Sequence, residues 1–222
     1  MSQLLVVYTA VFGDIPDRLR APRALRPDPT VRYACFTDRP EPSRCVPPWE
    51  LRESAWTHAD PRRTARFHKV LSHRAVPDAA YSLWLDGNLR LEIDPWTIVR
   101  RHLSSGIDVV TFKHAHRNCV YQELEACLRL DKDDAGAMRA QVEGYRIEGY
   151  PRYNGLAETT ALVRREGPAV RELNEAWWRE IERGSARDQL SFDYAAWKLG
   201  LDYGWLPASR EDCPYFGFSR HR

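Results

Sequence analysis

The run Leu4-Leu5-Val6-Val7-Tyr8-Thr9-Ala10-Val11-Phe12, halted by Gly13-Asp14, constrains this chain more than any other feature. It lacks polar alternation, so the strand it predicts must be covered on both faces. That is the signature of a central strand in a parallel sheet flanked by helices. The rest of the chain keeps that rhythm. Short apolar runs at 31–37, 81–85, 109–112, 159–164 and 203–206 read as strands, with a further short segment at 49–51 after a Pro-rich loop. Asp60-Pro61 and Asp94-Pro95 each pair an N-cap with a proline at the first helical position. They predict a helix of about four turns over 60–75, with Ala65, Phe67, Val70, Leu71 and Ala75 inward, and another over 95–103. Helical spacing recurs over 119–130, 168–182 and 188–199, the last stopped by Gly200. Residues 131–137 read as a loop, and 138–154 stay mixed because Gly144, Gly149 and Pro151 interrupt a helical pattern. Strands alternating with helices imply an α/β fold with a mainly parallel sheet, whose ligands bind at the carboxyl ends of the strands.

Composition narrows the function classes. The 222 residues are 43% hydrophobic and 29% charged, the balance of a folded chain of about one sizeable domain, read here as one unit over 1–222. No apolar run reaches the length of a membrane span, and the N-terminus lacks a basic segment leading into a long apolar stretch, so a cytoplasmic location is expected. The 5 cysteines form no C-x-x-C pair, which argues against a zinc cluster or a disulfide framework. The 33 basic and 31 acidic side chains nearly cancel to +2, leaving no global field for nucleic acid, and no basic amphipathic helix points to a membrane surface. Only four of the basic residues are lysines (Lys69, Lys113, Lys132, Lys198). Arginine grips phosphate bidentately, and its excess is equally explained by coding bias.

The sharpest local feature is Trp84-Leu85-Asp86-Gly87-Asn88. A carboxylate and an amide oxygen two residues apart at a strand end suit a hard divalent cation or ribose hydroxyls, and Asp-Gly-Asn is also ordinary turn chemistry. Arg66 and Lys69, three apart on one helix, are placed to face a diphosphate or to form a solvated basic face. His114, His116 and Arg117 follow a buried strand at its ligand-binding end. Asp188-Gln189 opens a late helix, where capping alone accounts for a carboxylate. Glu158, entering a strand, is placed to act as a general base toward a hydroxyl or to be a loop charge. Trp177 and Trp178 are adjacent, so Trp178 is expected at the surface as a stacking platform or interface residue.

The motifs share one order: Tyr8-Thr9-Ala10 with Phe12-Gly13-Asp14, Phe36-Thr37-Asp38, Tyr81 to Asp86, Asp94-Pro95, His114-x-x-Arg117-x-Cys119-Val120, Arg187 to Phe192 and Arg220-His221-Arg222. This succession resembles a glycosyltransferase-like family, formerly of unknown function, that includes plant hexosyltransferase-like and ceramidase-like members. The resemblance implies a GT-A fold with a nucleotide-sugar-binding half over 1–113 and an acceptor-binding half over 114–222. It implies donor contacts at Tyr8, Thr9, Asp38, Arg66, Lys69, Asp86, His114, Arg117 and Arg220, and acceptor or transition-state contact at Asp188 and Gln189. A Mn²⁺ or Mg²⁺ ion would be held by Asp86, Asn88 and His221. Asn88 stands where the second, usually metal-binding Asp of such enzymes is found, which sets this chain apart from the general pattern. The expected activity is hexose transfer from a nucleotide-diphosphate sugar, UDP-linked first, to a hydroxyl of a small-molecule or glycan acceptor. Two other readings stay open: an amide hydrolase of ceramidase type, for which neither G-x-S-x-G nor H-E-x-x-H is present, and a non-catalytic nucleotide-sugar-binding module.

Overall fold

The structure, a computed structural model, describes residues 3–13, 21–23, 27–39 and 47–219. Its strands are β1 (Leu5–Val11), β2 (Val31–Thr37), β3 (Glu50–Glu53), β4 (Tyr81–Leu85), β5 (Leu89–Leu91), β6 (Val109–Lys113), β7 (Ala157–Arg165), β8 (Gly204–Trp205) and β9 (Phe216–Phe218). Its helices are α1 (Pro61–Val70), α2 (Ser72–Ala75), α3 (Pro95–His102), α4 (Val120–Arg129), α5 (Ala135–Ile147), α6 (Pro168–Arg183) and α7 (Phe192–Leu199). The main sheet runs β3-β2-β1-β4-β7-β6-β8. β1 pairs in parallel with β2 and β4, β2 with β3, and β6 with β8, while β7 is antiparallel to both neighbours, β4 and β6. The reversal matters for the site. It brings the first residues of β7 to the same edge as the carboxyl ends of β1, β4 and β6.

β1 is buried on both faces, as its unbroken apolar run requires. Leu5 and Val7 join a cluster with Leu83, Leu85, Ile98 and Phe112; Val6 and Tyr8 join another with Val70, Leu71, Trp84 and Trp177. Asp60 and Asp94 cap α1 and α3 as read, each carboxylate accepting the backbone N–H two residues on.

Four readings change. The helix over 60–75 breaks at Leu71, whose φ of −91° and ψ of 59° leave the helical region, so α1 and α2 are separate. The segment left as loop and mixed pattern holds α5. Asp134 caps it through Ala137 N at 2.6 Å, and burial of Met138, Val142 and Tyr145 outweighs the cost of about 1 kcal/mol for a helical glycine such as Gly144. The helix over 188–199 is a 3₁₀ turn, Asp188–Leu190, followed by α7, which Gly200 closes at φ 60°. Trp178 is a core residue at 5% exposure: the α6 face is wide enough to bury both tryptophans, because Trp56 and Phe67 cover Trp178 edge-on. Strands β5 and β9, too short to show periodicity, pair antiparallel and bring Ser219 N within 3.0 Å of the Asn88 carbonyl. No helix among the described residues is long and apolar enough to cross a membrane.

Candidate active site

α1 delivers two cations to one buried carboxylate. Lys69 Nζ lies 2.6 Å from Asp188 Oδ2 and 3.3 Å from Asp86 Oδ1, and Arg66 Nε lies 2.8 Å from Asp188 Oδ1. Thr159, on β7, donates its hydroxyl to Asp188 Oδ2 at 2.9 Å. Asp188 opens the 3₁₀ turn without capping it; its carboxylate is spent on the cations. Burial opposes its ionisation, but Arg66, Lys69 and Arg187 override that and hold it well below the usual carboxylate range. Asp86 follows the last residue of β4 and is fixed by Trp84 Nε1, which donates to Oδ1 at 2.7 Å, and by its own N–H on Thr160 O at 2.8 Å.

These groups line a cavity of about 520 Å³ at the carboxyl edge of the sheet. Arg66, Lys69, Asp86, Asn88, Glu158, Asp188 and Gln189, singled out in the sequence for separate reasons, all meet there. Among the buried polar atoms on its wall without a hydrogen-bond partner are Asn88 Oδ1, Thr160 Oγ1, Arg187 Nε and Gln189 Nε2. Buried polar atoms are normally satisfied, so a set gathered on one cavity wall points to a hydrogen-bonding ligand. Glu158 is 8% exposed and pairs with Arg210 Nη1 at 2.6 Å; burial raises its pKa and Arg210 pulls it back.

Other expected site residues fall elsewhere. Tyr8 is fully buried. Its hydroxyl accepts from Arg164 Nη1 at 2.9 Å, and burial lifts its pKa to about 12, so it supports the lysine from inside the core and has no surface to offer a donor. Thr9 is likewise fully buried and does not line the cavity. Asp38, at the end of β2, accepts from Gly13 N at 3.0 Å and stabilises that turn. His114 turns into its own loop: Nδ1 accepts from the N–H groups of His116 and Arg117, and burial with the Arg117 charge drives its pKa down to about 4. Arg117 pairs with the buried Glu123 at 2.6 Å, so this pair braces the loop beside the cavity wall. Arg220 and His221 lie outside the described residues.

Arg187, Arg210, Lys132, Thr159 and Thr160 also line the cavity. Arg187 and the threonines adjoin residues already singled out, a local signal. Lys132 and Arg210 sit in loops whose sequence carries none. No group of three or more His, Cys, Asp or Glu among the described residues could hold a metal by itself.

Comparison with known proteins bears on the family and the fold. Residues 1–218 match the TOD1/MUCI70 glycosyltransferase-like domain. The chain is similar to "Probable hexosyltransferase MUCI70" of Arabidopsis thaliana, 31% identical over 165 residues, which is 70% of this chain and 28% of that protein. It is also similar to "Alkaline ceramidase TOD1" of the same organism, 26% identical over 220 residues, 86% of this chain and 47% of that one. It thus spans less than half the length of either relative. The apo structure of the bifunctional glycosyltransferase WbbM aligns with 96% of the chain and 41% of WbbM at a TM-score of 0.52 and 10% identity, which places the fold in the GT-A class. By its sequence over nearly its whole length, the chain belongs to the TOD1/MUCI70 glycosyltransferase-like domain family.

Proposed function

We propose that this chain transfers a hexose from a nucleotide-diphosphate sugar, UDP-linked in the first instance, to a hydroxyl of a small-molecule or glycan acceptor. The observation that carries the reading is the convergence of Lys69 and Arg66 on Asp188 beside Asp86 and Asn88, in a cavity whose wall also presents unpartnered polar atoms. A leaving nucleoside diphosphate gathers negative charge as the anomeric bond breaks, and cations fixed beforehand stabilise it without reorganising. Asp188 keeps the two cations in place. Arg66, more exposed than Lys69, reaches a diphosphate directly. Glu158 is the base for the acceptor hydroxyl, and Thr160 and Gln189 hydrogen-bond sugar hydroxyls.

A divalent cation fits the same wall. Asp86 and Asn88 offer hard oxygens, and Asn88 Oδ1 is buried and unpartnered. The five basic and four acidic side chains on the wall nearly cancel, leaving most of a diphosphate's charge to another cation. Mn²⁺ or Mg²⁺ held by Asp86 and Asn88 would supply that neutralisation.

Amide hydrolysis finds less support. Ser54 Oγ lies 2.7 Å from His68 Nε2, but His68 is stacked between Phe12 and Phe36, its Nδ1 meets no carboxylate, and burial lowers its pKa to about 4. A serine nucleophile needs an oriented base.

The test is consumption of UDP-, GDP- and TDP-linked hexoses, followed by release of free nucleotide. One donor should be consumed, and Arg66→Ala should slow its turnover by about 10²-fold. Consumption of none, with or without Mn²⁺, contradicts the proposal.

A further inference from the structure

A second cavity, of about 370 Å³, lies between the end of α7 and the edge strand β8. Its volume is within the roughly 300–1,000 Å³ typical of small-ligand sites. Trp197, Tyr203 and Trp205 line it together with Asn154, Asp193 and Asp202. Trp205 is 40% exposed, and its ring lies T-shaped to that of Tyr203 with 5.0 Å between centroids. Around it stand the exposed Asp202 carboxylate, an acceptor, and the exposed Asn154 amide, which both accepts and donates.

We propose that this aromatic cavity is a saccharide subsite, taking a neutral pyranose of an oligosaccharide acceptor whose reactive end lies in the transfer cavity; it rests on the transfer reading. A pyranose presents an apolar C–H face to an aromatic ring and hydroxyl donors at its edge, matching the ring and the acceptors here. The exposed Asp202 carboxylate in the lining disfavours a uronate through like-charge repulsion. The two cavities are tied by two short segments. Asn154 is four residues from Glu158 and Trp205 five from Arg210, so the walls are at most about 14 and 18 Å apart along the chain, a span for an oligosaccharide of a few units. The tie is rigid at one point. Asp193, buried beneath the cavity floor, accepts from Ala157 N at 2.9 Å, the residue before Glu158, and from the Tyr203 hydroxyl. Occupation of the outer cavity therefore sets the approach of the acceptor to Glu158.

The experiment is calorimetric titration and tryptophan fluorescence of the full chain with gluco-, xylo-, manno- and galacto-hexaoses, and with hexagalacturonate as a charged control. At least one neutral hexaose should bind, Trp205→Ala should weaken it about tenfold and Asp202→Asn less, and the uronate should not bind. Trp205→Ala removes an exposed ring, so the fold survives it. Thermal shifts with UDP-, GDP- and TDP-sugars, run on the same variant, should be unchanged. The subsite is overturned if no neutral hexaose binds, if binding is indifferent to Trp205→Ala, or if the uronate binds as well as the neutral sugars. A nucleotide shift without saccharide binding removes the subsite and leaves the transfer reading standing. Saccharide binding without any nucleotide shift removes the transfer reading, and with it the subsite's role as an acceptor site.

Discussion

Lys69 Nζ sits 2.6 Å from Asp188 Oδ2 with only 2% and 5% of the two side chains exposed, while Arg164 Nη2 holds the Lys69 backbone carbonyl at 2.9 Å from the core side. The lysine is therefore fixed at both ends of its reach.

Removing one partner of a buried pair strands the other, at a cost of about 3–5 kcal/mol. Asp188 keeps Arg66, so Lys69→Met should fall at the lower end, about 3 kcal/mol, with a matching loss in urea midpoint. A variant as stable as wild type would show that the pair is not closed to water.

Two buried carboxylates should give opposite pH dependences. Asp188 is held below its usual range by its cations, so its contribution is present above the unfolded value near 3.9 and lost as pH falls below it. Burial pushes Asp193 up to about 6, so the folded state takes up a proton first, and its ionisation costs stability as pH rises from about 4 to 6. Asp193→Asn keeps an acceptor for Ala157 N–H, and its amide N–H donates to the Tyr203 oxygen where the carboxylate accepted from that hydroxyl. It should abolish that fall, on the order of 2–3 kcal/mol at about 1.4 kcal/mol per pKa unit, and melting temperatures of both proteins from pH 4 to 7.5 check it. Parallel curves would contradict the raised value.

Arg210 lowers the pKa of Glu158, which burial raises. A base must be ionised to accept a proton, so Arg210→Ala should move the acidic limb of kcat/KM to higher pH, and Glu158→Gln should remove that limb along with most of the rate. An acidic limb unmoved in Arg210→Ala would assign it to another group.

Asn88→Asp adds a second carboxylate to the Asp86 wall and should tighten Mn²⁺ at least tenfold by calorimetry, since ligand charge governs affinity for hard cations. Equal affinity in both proteins would remove Asn88 from the ligand set.

The sheet and the core of the site were legible because each left a local mark. β1 showed its two buried faces as an unbroken apolar run, α1 its start as Asp60-Pro61, and Asp86 its place at a strand end. What stayed hidden depended on tertiary partners. The motif around Tyr8 reads like a contact surface, yet its hydroxyl is consumed by Arg164, 156 positions away. His114 fits the family pattern, but its imidazole is captured by its own loop. Arg210 enters the site from a loop with neither periodicity nor caps, and α5 was obscured because glycines mask a helix that Asp134 and three buried side chains sustain.

The central claim is that the cavity around Lys69, Arg66 and Asp86 binds a nucleotide-diphosphate sugar. Its most direct test is the melting temperature of the purified protein against UDP-, GDP- and TDP-linked sugars, with and without Mn²⁺, because a ligand that binds only the folded state raises it. The account predicts a rise with one nucleotide, larger with Mn²⁺ and diminished in Arg66→Ala. No rise with any nucleotide, in either condition, would contradict it.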